Sequence, residues 1–381
     1  MHEIFNLEKI YSAYLACRKG KRKTMDALKF EWNEEKNLLS LEEELLSKAY
    51  RPGRSICFVV TEPVIREIIA GSFRDRIVQH LLVREVESIG ESKFIFDSYS
   101  CRRGKGTHFG VERLKKFIAK NHSASGYFAK LDVSGFFMSI DHGILYSLFE
   151  KLIIKSKKSP GWKSEIMWLA KTIIFYDPTE NFVAKGDLSL FSLVPVRKSL
   201  FYSTKRKGLP IGNHSSQFFA NLYLNEMDQF AKRELKCKYY LRYVDDVVIL
   251  EKDKVKLKIY RDRLNEFLKN KLRLSLNMKK TVIQPVKNGV DFLGYFVKPN
   301  CVLVRERVVK KFKNNLRKMD KFNHADNKNI LAMVNSYFGH FRHADSFNLR
   351  KKIYEGKFGR LKEKFSAEEN FFFVKIASDK P

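Results

Sequence analysis

The chain has 381 residues, 44% of them hydrophobic, which is enough for a sizeable core and for two or three domains. Lys and Arg number 73 against 43 Asp and Glu, and the net charge of +30 favours a polyanionic partner, either nucleic acid or an acidic membrane face. No apolar run reaches the roughly 18 residues of a membrane span, the first residues do not make a signal peptide, and five scattered cysteines without a CxxC pair exclude a disulfide framework; no membrane and a reducing cytoplasm are expected.

Phe5, Leu7, Ile10, Tyr11 and Tyr14 predict a helix over 3–17, followed by a basic run from Arg18 to Lys23. A second helix is predicted from Glu34 to Tyr50, ended by Arg51-Pro52-Gly53, then a strand over 56–60 and a helix over 64–90. Residues 127–133 read as a strand ending in a carboxylate, 142–175 as mostly helical and 181–208 as irregular. A helix capped by Asn213 or Ser215 is predicted next, and 239–250 read as two strands around a tight acidic turn. From Val308 the chain is basic and helical, with another helix over 329–341. Composition suggests three regions, 1–125, 126–303 and 304–381.

The sharpest feature is Tyr243-Val244-Asp245-Asp246 between apolar strands. An ordinary hairpin accommodates Asp in a turn. Alternatively, the turn presents a carboxylate to a divalent cation that cancels the repulsion of two adjacent acids. Asp132, ending an apolar strand, supplies a second acid, since a carboxylate there is costly unless paired or metal-bound. Two strands of one sheet would bring these residues together around two Mg²⁺ ions, the arrangement of in-line phosphoryl transfer. Asp141 and Asp291 read as structural or capping residues. His340 and His343 lack the further ligands of a zinc site.

These residues fall in an ordered series. Arg74 to His80, Ser98 to Thr107, Asp132 to Phe137, Gly208 to Asn213, Tyr243 to Asp246, Leu276 to Thr281 and Phe292 to Tyr295 resemble, in order, the seven blocks of a reverse transcriptase between about 60 and 300. Most such enzymes carry Gln between the Pro and Gly of the fourth block, whereas this chain carries Ile211. Ile211-Gly212-Asn213-His214-Ser215-Ser216-Gln217 is similar to the IGNxxSQ form of diversity-generating retroelement reverse transcriptases. The segment from Ser336 to His343 resembles thumbs of intron-type enzymes.

The resemblance implies an α+β right-hand polymerase fold: N-terminal region and fingers in 1–125, palm in 126–303 with an insertion near 181–208, and a basic helical thumb in 304–381. It implies RNA-directed DNA polymerisation, with a template-repeat RNA copied into adenine-mutagenised cDNA by a bacterial or phage-encoded enzyme. Asp132, Asp245 and Asp246 would be catalytic and, with Val133, hold two Mg²⁺ ions, for which Mn²⁺ substitutes. Lys280 would act near the leaving pyrophosphate, with Lys279 as competitor. Arg74, Arg102 and Lys105 would hold the triphosphate, with Arg76 and Arg103 able to exchange roles with them. Phe137 would exclude a ribose 2′-hydroxyl, and Ile211, Gly212 and Asn213 would line the nucleotide pocket. Ile211 offers shape where Gln offers a hydrogen bond; packing at a helix entrance is its alternative role. Partners would be the template RNA, the cDNA or primer strand, deoxynucleoside triphosphates and the accessory protein Avd, a helical-bundle pentamer in the family. Two rival readings stay open: a retron, CRISPR-associated or intron-type reverse transcriptase, and a non-catalytic RNA-binding protein on the same fold.

Overall fold

The computed structural model describes residues 2–62, 64–120, 125–321 and 326–377. Three helices come first, α1 (Leu7–Arg18), α2 (Met25–Glu31) and α3 (Glu34–Leu46). The Asn6 side chain caps α1 by accepting from the Lys9 amide, and Ile10, Ala13, Tyr14 and Cys17 form its buried face. The seven residues of α2 are too few to show a period, and the sequence reading has no counterpart for it.

Residues 64–90 are not one helix. Arg66–Ala70 is a strand, β2, paired antiparallel with β1 (Ser55–Val60) so that Cys57 faces Ile69. Helix α4 (Phe73–Glu91) starts only after Ser72, whose hydroxyl accepts from the Asp75 amide. Ile68-Ile69-Ala70 is too short an apolar run to choose between periods, and pairing with β1 decides it.

The chain continues through α5 (Thr107–Lys120), β3 (Tyr127–Asp132), α6 (Phe136–Ser139), α7 (His142–Ile154) and α8 (Pro160–Ile174). Asp141 caps α7 through the Gly143 and Ile144 amides and pairs with Arg273, a structural role as expected. Within 181–208 the irregular backbone holds one short strand, β4 (Phe182–Ala184), parallel to β1, which gives a three-stranded sheet of order β2-β1-β4. Helix α9 (His214–Gln229) is buried along most of its length. Strands β5 (Tyr239–Tyr243) and β6 (Asp246–Glu251) flank the acidic turn, α10 (Lys254–Leu272) follows, and β7 (Val282–Pro285) completes a four-stranded sheet of order β5-β6-β3-β7. Beyond it lie β8 (Val290–Phe292), β9 (Tyr295–Val297) and β10 (Val302–Val304), an antiparallel sheet, then α11 (Glu306–Lys321), α12 (Asn327–Phe341) and α13 (Phe347–Lys357).

The chain forms two compact units. One comprises Met1–Gly104, Lys130–Val247 and Ile259–Thr281; the other comprises Lys105–Ala129, Val248–Lys258 and Val282–Pro381. Residues 105–120 group with the C-terminal part because α5 packs on β9, with His108 stacked on His343 at 3.6 Å between ring centroids. In this second unit Phe312 and Leu316 of α11 join Ile330, Val334, Phe338 and Phe341 of α12 in one core, and Lys310, Arg317 and Lys318 stay on the exposed side of α11. His340 stacks on Tyr295, and both it and His108 lie within hydrogen-bonding distance of the Tyr295 hydroxyl, so these imidazoles serve packing.

Candidate active site

All of the acidic candidates lie in the first unit. Asp132 ends β3, and beyond it Val133 bridges Leu276. The bonds flanking this bridge run from the Asn277 amide to the Asp132 carbonyl (2.7 Å) and from the Ser134 amide to the Ser275 carbonyl (2.9 Å). In such a pairing the Val133 carbonyl points to the opposite edge. Asp245 and Asp246 sit at the end of the β5–β6 hairpin. Its turn holds Val244 at φ 54°, a left-handed conformation that a β-branched residue rarely adopts.

The carboxylates sense one another. Burial pushes the Asp245 carboxyl up to about 6, the charges of Asp246 and Asp132 push in the same direction, and Lys280 opposes them. The fold thus brings together acids 113 residues apart. The Lys280 ammonium donates to both Asp132 oxygens at 3.1 Å.

Lys198, not among the candidates above, also lies within electrostatic reach of Asp132. Burial, then the charges of Lys280, Arg66 and Arg197, hold the Lys198 ammonium below its usual range, against the pull of Asp132. Residues 196–198 form a single turn, placed by the Ser199 hydroxyl and Leu200 amide donating to the buried Glu67 carboxylate at 2.7 and 2.9 Å. Beside it an open cavity of about 700 Å³ is lined by Ser134, Gly135, Arg197, Ser203, Lys207 and other residues. The signal was the basic character of 197–207, which the sequence reading treated as an irregular insertion.

The three basic residues expected at the triphosphate each have a partner in the fold. The Arg102 side chain is 5% exposed; it forks onto Glu91 and donates to the Ile95 and Ser98 carbonyls, which holds its own loop. Arg74 pairs with Glu44 and lies over the Tyr50 ring, and its neighbour Arg76 donates to the Gly71 carbonyl. Lys105 belongs to the second unit, where its ammonium lies over Phe109.

The fourth block is stitched to β2 and the residue after it. The Ile69 amide donates to the Ile211 carbonyl at 2.9 Å, and the Gly71 amide donates to the Asn213 side chain at 2.9 Å. Asn213 therefore precedes α9 without capping it through its side chain. Gly212, at φ 136°, lies so close to β2 that a Cβ would stand 2.8 Å from the Ile69 carbonyl oxygen. Phe137 and Ile211 both pack, half-buried, on the cluster of Cys57, Ile69, Met138 and Leu200. Phe136 is the buried member of its pair.

The donor set suits a hard divalent cation: carboxylate oxygens whose mutual repulsion is relieved only in part by Lys280. Among the described residues no group of three acidic, imidazole or thiolate side chains is placed to hold a metal ion, and Lys280 lies against Asp132.

The sequence profile of the family described as "Reverse transcriptase (RNA-dependent DNA polymerase)" matches residues 64–297. The chain belongs to this family. Its activity class is RNA-directed DNA polymerisation, and its α+β architecture is the right-hand polymerase fold. The chain is similar to Protein YkfC of Escherichia coli (strain K12), 26% identical over 290 residues, covering 67% of this chain and 69% of that protein. It is also similar to Group II intron-encoded protein LtrA of Lactococcus lactis subsp. cremoris, 22% identical over 60% of this chain and 43% of LtrA, so it spans less than half of that protein. Among solved structures, apo telomerase from Candida tropicalis aligns with a TM-score of 0.49 and 12% identity, covering 85% of this chain and 65% of that one. No helix among the described residues is long and apolar enough to cross a membrane.

Proposed function

We propose that this reverse transcriptase serves a diversity-generating retroelement, copying a template-repeat RNA into cDNA with errors concentrated opposite adenine. The observation that carries this reading is Ile211 in the Ile211–Gln217 run, packed like Phe137 on the apolar cluster of Cys57, Ile69, Met138 and Leu200. A Gln there would offer the incoming nucleotide a hydrogen bond; Ile offers only a surface, and the loss of about 1 kcal/mol of positioning blurs a preference several-fold. The Phe137 ring is the candidate barrier to a 2′-hydroxyl. Ile211→Gln is expected to lower misincorporation opposite adenine about fivefold, read by sequencing cDNA made on a defined RNA. Unchanged adenine errors would end the idea. The similarity to LtrA favours a second reading, an intron-type enzyme, and faithful wild-type cDNA would support it.

In this reading Asp132, Asp245, Asp246 and the Val133 carbonyl hold Mg²⁺ ions, Mn²⁺ substituting. When bound, the ions would activate the 3′-hydroxyl and stabilise charge on the phosphates. Lys280, which donates to Asp132 in this structure, would protonate the leaving pyrophosphate. Lys198, Arg197 and Arg66 replace Arg74 and Arg102 as the cations facing the triphosphate. Lys198→Gln should raise the KM for deoxynucleotides about three- to tenfold with a smaller change in kcat; an unchanged KM would remove Lys198 from the site. The basic face of α11 suits an RNA–DNA hybrid. The remaining proposals are Avd as accessory partner, with RNA between the two basic proteins, and a reducing cytoplasm, which suits five unpaired cysteines.

A further inference from the structure

Beneath the acidic turn lies a buried ion pair that neither the metal site nor the nucleotide pocket uses. Arg242, the penultimate residue of β5, is 1% exposed, and Asp228 on α9 is not exposed at all. The guanidinium forks onto the carboxylate at 2.8 and 2.7 Å, and the Tyr240 hydroxyl donates to the same carboxylate at 2.6 Å. The remaining guanidinium nitrogen donates to the Val244 carbonyl at 2.9 Å and to the Asn221 side-chain oxygen at 3.3 Å. The Arg242 backbone is held as well, its amide on the Asp97 carbonyl and its carbonyl on the Tyr99 amide. One group thus ties the central helix to the carbonyl of the left-handed residue directly before Asp245.

We propose that the Arg242–Asp228 pair is a strut that holds the strained Val244–Asp245 turn in the shape that presents Asp245, which makes Arg242 a positioning residue for nucleotidyl transfer. A β-branched residue leaves the left-handed region unless its surroundings over-determine it, and the bond to the Val244 carbonyl is such a constraint. A buried ion pair is a poor source of stability compared with apolar packing of the same volume, so stability alone does not account for it. The inference rests on Asp245 being a catalytic carboxylate.

The test separates stability from positioning. Arg242→Met alone strands a buried carboxylate and is expected to unfold the protein, so the informative variant is Arg242→Met with Asp228→Leu and Tyr240→Phe, which removes the charges and the orphaned hydroxyl together. It is expected to melt at or above the wild-type temperature and to bind an RNA–DNA hybrid within about twofold of wild type, yet to synthesise DNA with a kcat about 100-fold lower. Arg242→Lys keeps a cation against Asp228, but its ammonium lacks the fork that serves the carboxylate and the Val244 carbonyl together; it should fold and be slowed at least about tenfold. Wild-type kcat in either folded variant would overturn the strut, and so would loss of hybrid binding in step with kcat. Asp245→Asn, measured in parallel, tells the failures apart. If it is inactive while the triple variant is active, the strut alone falls. If it is as active as wild type, the reading of Asp245 falls and the strut with it.

Discussion

Asp245→Asn is expected to reduce RNA-templated DNA synthesis by at least about 1,000-fold while making the metal-free protein harder to unfold at neutral pH. The first effect follows from the role proposed for this carboxylate. The second follows from its surroundings: burial, and then Asp246 and Asp132, push its pKa from 3.8 up to about 6. Above pH 6 the folded chain carries a charge that the fold disfavours. Between about pH 4 and 6 it holds a proton that the unfolded chain has released, so the destabilisation is fully present above 6, shrinks as the pH falls through 6 and is gone below about 4. At pH 7 the cost is about 3 kcal/mol, which asparagine removes. Urea unfolding in EDTA at pH 7 and pH 4.5 would show a stabilised variant at the first pH and a smaller difference at the second. A variant less stable than wild type at pH 7 would mean that the site is not under electrostatic strain.

Gly212→Ala is expected to cost about 3 kcal/mol of stability and to remove most synthesis with it. Two penalties coincide: φ of 136° is open to glycine alone, and the new Cβ would meet the Ile69 carbonyl oxygen at 2.8 Å and the Ile68 side chain at 3.0 Å. Neither neighbour can retreat cheaply, because the Ile69 amide is bonded to the Ile211 carbonyl and the adjoining Gly71 amide to Asn213. Gly186→Ala is the control, since Gly186 also has positive φ, 81°, but has nothing within 4 Å of the added carbon, and it should cost only about 1 kcal/mol. Equal losses from the two substitutions, measured by the same urea titration, would show that backbone conformation, and not contact with β2, dominates at Gly212.

The acidic hairpin was legible because an apolar run interrupted by Val244-Asp245-Asp246 leaves little other than two strands and a turn, and β5 and β6 fall on the expected residues. Helices α9, α11 and α12 were legible from their apolar spacing, which buries Phe219, Phe312, Leu316 and Phe338 as a period of 3.6 requires. Asp141, which reads as structural or capping, caps α7 and pairs with Arg273, and Asp291 pairs with Arg305.

What the sequence by itself determined was the list of chemical groups, their order and the local elements that carry them: Asp132 at a strand end, two acids in a turn, a glycine before a buried helix and a surplus of cations. What only the tertiary structure decided was which of these groups meet. Arg102 and Lys198 look alike in sequence, yet one is spent on Glu91 and two carbonyls while the other is crowded by Lys280, Arg66 and Arg197 near Asp132. Residues 66–70 became a strand through pairing with β1, and Arg242 became a support for the Val244 turn through a carboxylate on a different element. The physical reason is range. Periodicity and turn chemistry act over a few neighbouring residues, whereas a charge is assigned its role by whichever opposite charge or carbonyl the folded chain brings within about 3 Å.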